Sequence, residues 1–385
     1  MEKALAKGFF HDGTILMHIH SLTLKNFRNI EKTEIFPDPE FNILWGPNAQ
    51  GKTNFLEAVY LLGNLKSFRA FGNQEMPNHK ADEARILARI SSGGVSHGVE
   101  LTIGRNGKSA RLNGKQVKKT AGFFGYLRPI LFSPEEVNLL KGYPAGRRAL
   151  LDRAVFQADP NYLVKAQAYD RCLKQRNRLL KDGNIGAELT SWTDKLLETG
   201  FILRRERISY LQRIRPLFQE TYSKISAARE KADFYYSPAE NSDEDIKKSF
   251  RLELERERER ERRLGQTLAG PHRDNPEFVV DGRSARLYAS QGQQRSLVLA
   301  FKTAQIMDLE ARTGEPPVLL LDDMTSELDR QRQEFFFRFL LSRKGQVFIT
   351  TTEKEPLLQA GLDNGRFFRV SNGAFEEETE GMRSK

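Results

Sequence analysis

Residues Gly46–Thr53 read GPNAQGKT, which fits G-x-x-x-x-G-K-[ST] at every fixed position. Backbone N–H groups of such a loop, together with the positive end of the following helix, hold phosphate oxygens. Lys52 is expected to reach the β and γ phosphates of a nucleoside triphosphate, and Thr53 to offer its hydroxyl to Mg2+. Asn48 can turn its amide toward the γ phosphate. A second group lies in Pro317–Asp329, PVLLLDDMTSELD. An apolar strand that ends in two aspartates puts Asp322 at the sheet edge, where it can hold Mg2+ through water. Asp323 is then placed to orient or deprotonate an attacking water. Its short side chain suggests slow hydrolysis. A third group, Ser290–Arg295 (SQGQQR), opens a strongly helical stretch and makes another anion cradle.

These groups need elements to position them. FNILW (41–45) reads as a strand before the loop. From Thr53 the pattern turns helical, with Phe55, Leu56, Val59 and Tyr60 on one face. His18–Asn26 alternates like a strand and slips once near Ser21. Residues 84–103 and 108–112 look like strands around the turns SSGG and GRNGK, giving an antiparallel patch. From about 134 to 265 the character is helical, with a long stretch over 190–232 interrupted at Pro216 and a polar linker at Ser237–Asp245. Residues 251–263, RLELERERERERR, read as a solvated connecting helix with i,i+3 pairs such as Glu257–Arg260; a DNA-contacting arm is the alternative. Strands return at 317–321 and 346–350, with a helix at 331–341 between them. GPHRDN (270–275) stands just before what reads as a returning core strand.

Composition narrows the class. Lys plus Arg number 61 against 51 Asp plus Glu, a net charge of +10 that favours a polyanionic partner. No apolar run has the ~20 residues of a membrane span, and the N-terminal stretch lacks the h-region of a secretory signal. The single cysteine, Cys172, excludes an internal disulfide and a Cys-based zinc site, and reads as a buried small side chain. A cytoplasmic protein without a membrane partner is the expectation.

The order of phosphate loop, SQGQQR, LLLDD and SELD resembles the ATP-binding-cassette superfamily, in its DNA-repair and chromosome-maintenance branch. More closely, Leu24–Asn29 (LKNFRN), GPNAQGKTN, FSPEE (132–136), KGYPAGRR (141–148), LDR (151–153), KQRNRLLK (174–181) and TLAGPHRDN (267–275) resemble the RecF family of bacterial recombination mediators. The resemblance covers 17–375. It implies an α/β fold, an ABC-type P-loop ATPase head over 17–133 and 265–375, with the antiparallel patch and an inserted helical lobe over 134–264. It implies ATP and Mg2+ as cofactors. Gly46, Asn48, Gln50, Gly51, Lys52, Thr53 and Asn54 would bind the nucleotide, with Arg28 near it. Ser290, Gly292 and Gln293 of one copy would close on the γ phosphate held by the other, with Asp329 in the loop that crosses between them, so that Ser290 joins Lys52 and Asp323 in catalysis. The implied partners are double-stranded and gapped DNA, a second copy in an ATP-dependent homodimer, RecR and RecO, and indirectly the recombinase. Another chromosome-maintenance ATPase or a transporter subunit are the alternatives. The first would need a longer coiled coil, and the second a membrane partner.

Three departures from the family pattern stand out. Ala49 replaces a usual glycine, which is harmless if its φ is negative. FITTTE (348–353) carries no histidine, so Thr350 or Thr351 is expected to touch the γ phosphate or the attacking water. Met17 stands where the family begins, and 1–16 are expected to be a disordered extension or an alternative start. Phosphate contacts to DNA are expected from Lys66, Arg69, Arg147, Arg148, Lys174, Arg176, Arg178 and Lys181.

Overall fold

Strands buried on both faces carry unbroken apolar runs, and the central sheet is made of these. This sheet has the order β15-β14-β3-β13-β12-β8. Its strands are β3 (Phe41–Trp45), β8 (Pro129–Phe132), β12 (Val318–Asp322), β13 (Val347–Thr351), β14 (Arg366–Ser371) and β15 (Ala374–Glu377), of which only β15 is antiparallel. The computed structural model describes residues 17–69, 72–105, 107–118, 122–184, 186–237, 242–324 and 328–378. The expectation for 1–16 lies outside them.

Alternate side chains of the sheet feed two separate cores. Leu44, Leu320 and Phe348 pack with α1 (Lys52–Asn64) and an antiparallel sheet. Ile43, Leu319, Leu321 and Ile349 pack with helices on the other face. The antiparallel sheet, of order β2-β1-β4-β5-β6-β7, contains β1 (His18–Phe27), β2 (Ile30–Ile35), β4 (Glu83–Ser92), β5 (Val95–Gly104), β6 (Gly107–Leu112) and β7 (Lys115–Gln116). The slip foreseen near Ser21 is a register shift between Ile19 and Ser21.

The lobe contains α2 (Pro134–Lys141), α3 (Pro144–Ala158), α4 (Tyr162–Lys181), α5 (Ala187–Ile225) and α6 (Asp243–Leu264). Three expectations change here. First, α5 runs unbroken for 39 residues through Pro216. Pro216 and Gln212, whose carbonyl loses its N–H partner, are both exposed, so water can satisfy the freed group. The buried Ile214, Phe218 and Tyr222 hold the helix on its inner side. Second, ADFYYS folds as β9 (Ala232–Ser237) and pairs antiparallel with β10 (Asn275–Val280), which also pairs with β11 (Arg283–Ser284). The strand after GPHRDN therefore belongs to this small sheet and not to the central one. Third, α6 is only half solvated. Ile246, Phe250, Leu254 and Glu261 are buried, while Glu257–Arg260 pair at 3.4 Å on the outside.

GPHRDN, outside the helical segment in sequence, is a polar hub that binds its helices α4 and α5. The Asp274 carboxylate accepts from Arg204 at 2.7 and 3.0 Å and from Tyr236. Arg207 donates to the Pro271 carbonyl at 2.7 Å and to Asp152 at 2.7 Å. Tyr169 donates to His272 Nδ1 at 2.7 Å, whose Nε2 faces the Thr267 carbonyl at 3.1 Å. Burial lowers the His272 pKa to about 4, so the ring is neutral at physiological pH.

Candidate ATP site and the segment that faces outward

The phosphate loop turns between β3 and α1 on left-handed backbone. Gly46 has φ 143°, and a Cβ there would come within 2.5 Å of the Val370 carbonyl oxygen. Gly51 has φ 116°, and its Cβ would meet Asn29 Oδ1 at 2.9 Å. Ala49 has φ 64°, so the condition under which its methyl group would be harmless is not met. Successive N–H groups curl around a concave loop only if such a residue is left-handed, so the methyl group is tolerated at a cost.

Lys52 is buried and donates to the carbonyls of Gly46 and, at 2.8 Å, Pro47. Burial lowers its pKa, against the pull of Asp323 and Asp322. Thr53 donates to Asp322 Oδ1 at 2.8 Å, joining the loop to the end of β12. Thr350 donates to the same oxygen at 2.8 Å, and its own oxygen accepts from the Asp323 N–H at 3.0 Å. Asp323 leaves the strand at φ 48°, which separates the directions of the two aspartates. The tertiary structure thus brings Lys52, Thr53, Asp322 and Asp323 together, as their spacing implied.

Burial raises the Asp322 pKa while the hydroxyls of Thr350 and Thr53 oppose the shift. A buried carboxylate next to a threonine hydroxyl is an all-oxygen donor set, and among the described residues no cluster of three or more His, Cys, Asp or Glu side chains forms a self-sufficient cage. This fits Mg2+, which takes few protein ligands and completes its shell with water and phosphate oxygens. Thr53 and Asp322 would hold it, and when bound it supplies positive charge beside the phosphates.

Several of the residues expected near the nucleotide also brace the loop through hydrogen bonds. Gln50 accepts from the Asn372 N–H through its side chain at 2.7 Å and from the Gly373 N–H through its carbonyl at 2.9 Å. Asn54 donates to Asn29 at 2.8 Å and accepts from Arg69 at 2.7 Å. Asn29 in turn donates to the Gln50 carbonyl at 3.1 Å. Asn29 and Arg69 are the supports that sequence reasoning missed as such. Asn29 sits inside the LKNFRN motif, but its partners lie on the phosphate loop and α1, 21 and 25 residues away in sequence, and leave no local signal. Arg28 is committed to Glu57 of α1 at 2.9 and 3.1 Å and to the Glu75 carbonyl at 2.7 Å, so its contacts anchor α1. Asn48 is exposed on the loop. Thr350 is buried and commits its hydroxyl to the aspartates, and Thr351 donates to the Glu353 carbonyl at 2.7 Å. Thr350 thereby ties Asp322 and the Asp323 backbone to the end of β13.

The serine–glycine segment forms a second group. Ser290 caps α8 (Gln291–Thr313), following the short α7 (Ala285–Tyr288). Its oxygen accepts from the Gln293 N–H at 3.2 Å, and Gln293 reaches back to the Ser290 N–H at 2.7 Å, a reciprocal cap. Gln293 also donates to Glu230 at 2.8 Å. Ser290 is exposed and Gly292 half-buried. Asp329 caps α9 (Arg330–Leu341), accepting from the Arg332 N–H at 3.0 Å. Among the described residues, the hydrogen bonds of this group run to α5, Glu230 and α9 rather than to the phosphate loop.

Two of the expected DNA contacts are internal. Arg147 is 2% exposed and donates to the carbonyls of Gly142 and Pro276 and to Asn275. Arg176 is 4% exposed, with Glu261 at 2.6 Å and Thr267 at 2.8 Å. Lys174 and Arg178 remain in solvent at 73% and 77%, and Lys181 and Lys66 are also exposed. Arg148 is partly buried on the Asp274 carbonyl. Cys172 is buried, as expected. No helix among the described residues is long and apolar enough to cross a membrane.

Residues 18–374 match the family described as RecF/RecN/SMC N terminal domain. The DNA replication and repair protein RecF of Syntrophotalea carbinolica is 50% identical, over 93% of this chain and 98% of the relative. The solved structure of the recombination mediator protein RecF-ATP in the RecFOR pathway superposes with a TM-score of 0.87 at 29% identity, covering 96% of this chain and 100% of that one. An Smc head domain from Pyrococcus furiosus, at 15% identity and a TM-score of 0.53, shares the fold. A phosphate loop, an acidic strand end and a serine–glycine cradle, set in an Smc-like head and matched along almost the whole chain, make this protein a member of the RecF family.

Proposed function

We infer that this protein is an ATP-dependent recombination mediator in which ATP joins two copies around DNA. The observation that carries this reading is the division of the site. The phosphate loop, Thr53 and the two aspartates make a half-site, while Ser290 presents a second anion cradle from an exposed helix start. With one loop and one cradle per chain, two chains supply two complete sites. In each, Lys52 neutralises phosphate charge and Asp323 orients or deprotonates the attacking water, while Ser290 and Gly292 of the second copy donate to the γ phosphate. Hydrolysis removes the group that bridges the copies, so it acts as a slow release step and not as a motor stroke.

Gapped or junction DNA is the proposed polyanion, held through phosphate contacts by the exposed Lys174, Arg178 and Lys181 rather than by base reading. RecR and RecO are the proposed protein partners, since the RecF relative is placed in the RecFOR pathway, and recombinase loading is the proposed outcome. The proposed location is the cytoplasm. Sedimentation with and without ATP, repeated on gapped duplex DNA, tests the reading. ATP should convert monomer to dimer and tighten DNA binding in a salt-sensitive way, and Ser290→Arg should abolish dimerisation while sparing nucleotide binding. Normal ATP-driven dimerisation of Ser290→Arg would sink the composite site.

A further inference from the structure

Arg332 makes contacts that the nucleotide chemistry alone does not account for. It sits in the first turn of α9, where its N–H caps onto Asp329 Oδ1 at 3.0 Å. Its guanidinium forks. Nη1 pairs with Asp329 Oδ2, and Nε donates to Ser296 Oγ at 2.7 Å. Ser296, one turn into α8, donates a hydrogen bond in turn to the Gly292 carbonyl at 3.1 Å. The guanidinium also lies against Gly292 itself. A Cβ at that position would stand 3.0 Å from Nη2 and 3.4 Å from Cζ and Nη1. The glycine therefore makes room for an arginine of its own chain. Both elements are further tied to α5 and the turn after it. Gln331 donates to the Ile225 carbonyl at 2.9 Å, Gln293 to Glu230 at 2.8 Å, and Tyr222 to the other Glu230 oxygen at 2.7 Å.

We propose that Arg332 is a positioning residue that locks the Asp329 turn and the Ser290–Gly292 cradle into one rigid face, which docks as a unit on a second copy. This rests on the two-copy reading above. Two separate elements must meet the partner at once, and each would cost ordering free energy on association if it moved alone. Tying both to one planar, forked side chain removes that cost before the copies meet. Arg332 suits the task because a guanidinium offers donors in two fixed directions, which a lysine ammonium does not. Among the described residues its side-chain hydrogen bonds run to Asp329 and Ser296, away from the phosphate loop and the two aspartates. Its effect should therefore appear in assembly and not in nucleotide capture.

The experiment compares Arg332→Ala, Arg332→Lys and Ser296→Ala with the parent chain and with Ser290→Arg. Fluorescent ATP-analogue binding at monomer concentrations, melting temperature and the ATP-driven monomer–dimer constant are each measured. Arg332→Ala should bind the analogue within about twofold of the parent and weaken dimerisation about tenfold or more, the scale of a lost charge-assisted hydrogen bond. Ser296→Ala removes one arm of the fork and should weaken dimerisation about threefold. Arg332→Lys keeps the charge at Asp329 but not the fork, so it should resemble Ser296→Ala. The proposal is overturned if Arg332→Ala and Ser296→Ala dimerise like the parent while Ser290→Arg does not. Should Ser290→Arg itself dimerise normally, the two-copy reading fails first and takes this proposal with it.

Discussion

Replacing Asp274 by alanine asks whether GPHRDN acts by chemistry or by architecture. The Asp274 carboxylate is 2% exposed and holds Arg204, whose side chain is fully buried. Without it, Arg204 keeps Glu253, at 2.7 and 3.2 Å and itself 27% exposed, as its one carboxylate partner among the described residues, while Tyr236 loses its acceptor. Breaking one partner of a buried pair costs about 3–5 kcal/mol. The surviving Glu253 keeps the charge balanced, so about 3 kcal/mol is expected here. With an unfolding entropy of roughly 0.8 kcal/mol per degree for 385 residues, the melting point should drop by about 4 °C if the chain melts as one unit. Urea unfolding gives the free energy, calorimetry the melting point, and a fluorescent ATP analogue reports the head. Binding of the analogue should stay within about twofold, because β10 pairs with β9 and not with the sheet that carries the phosphate loop. A loss below about 1 kcal/mol would refute the account, as would intact stability with abolished hydrolysis, which would mark Asp274 as chemical.

Two further outcomes follow from local geometry. Ala49→Gly relieves an exposed left-handed alanine, so it should raise stability by about 0.5 kcal/mol after the extra chain entropy of glycine, with ATP affinity unchanged; a lower urea midpoint would contradict the reading. His272 has a folded pKa near 4 against an unfolded value of 6.5, so between these the unfolded chain takes up a proton that the folded chain refuses. Stability should therefore fall as pH drops from 6.5 toward 4, and His272→Gln should flatten that limb; an unchanged slope in urea titrations across this window would rule His272 out.

Much of the head was legible because its signals are local. GPNAQGKT needs only a strand before it and a helix after it, and both are present. The aspartate pair follows an unbroken apolar run, which is what a strand buried on both faces requires. Even the slip at Ser21 is visible in the spacing of its own strand. The lobe was less legible. Proline in α5 is a sound local stop signal, overruled by packing along the inner face. β9 is six residues long, and its partner β10 lies beyond an entire helix, so nothing near ADFYYS announces the pairing.

The sequence by itself determined where the phosphate loop and the acidic strand end lie, since both are defined by residue type over a few positions. Tertiary structure decided what the remaining polar residues are for. Arg147 and Arg176 look in sequence like Lys174 and Arg178, yet the first two are interior ties and the others stand in solvent. Gln50 within the nucleotide motif, and Asn54 and Arg28 outside it, tie the loop and α1 to distant segments. The physical reason is that a charge has the same sign wherever it sits, while its role is set by whether water or a distant carboxylate faces it, and only the packed chain brings that partner near.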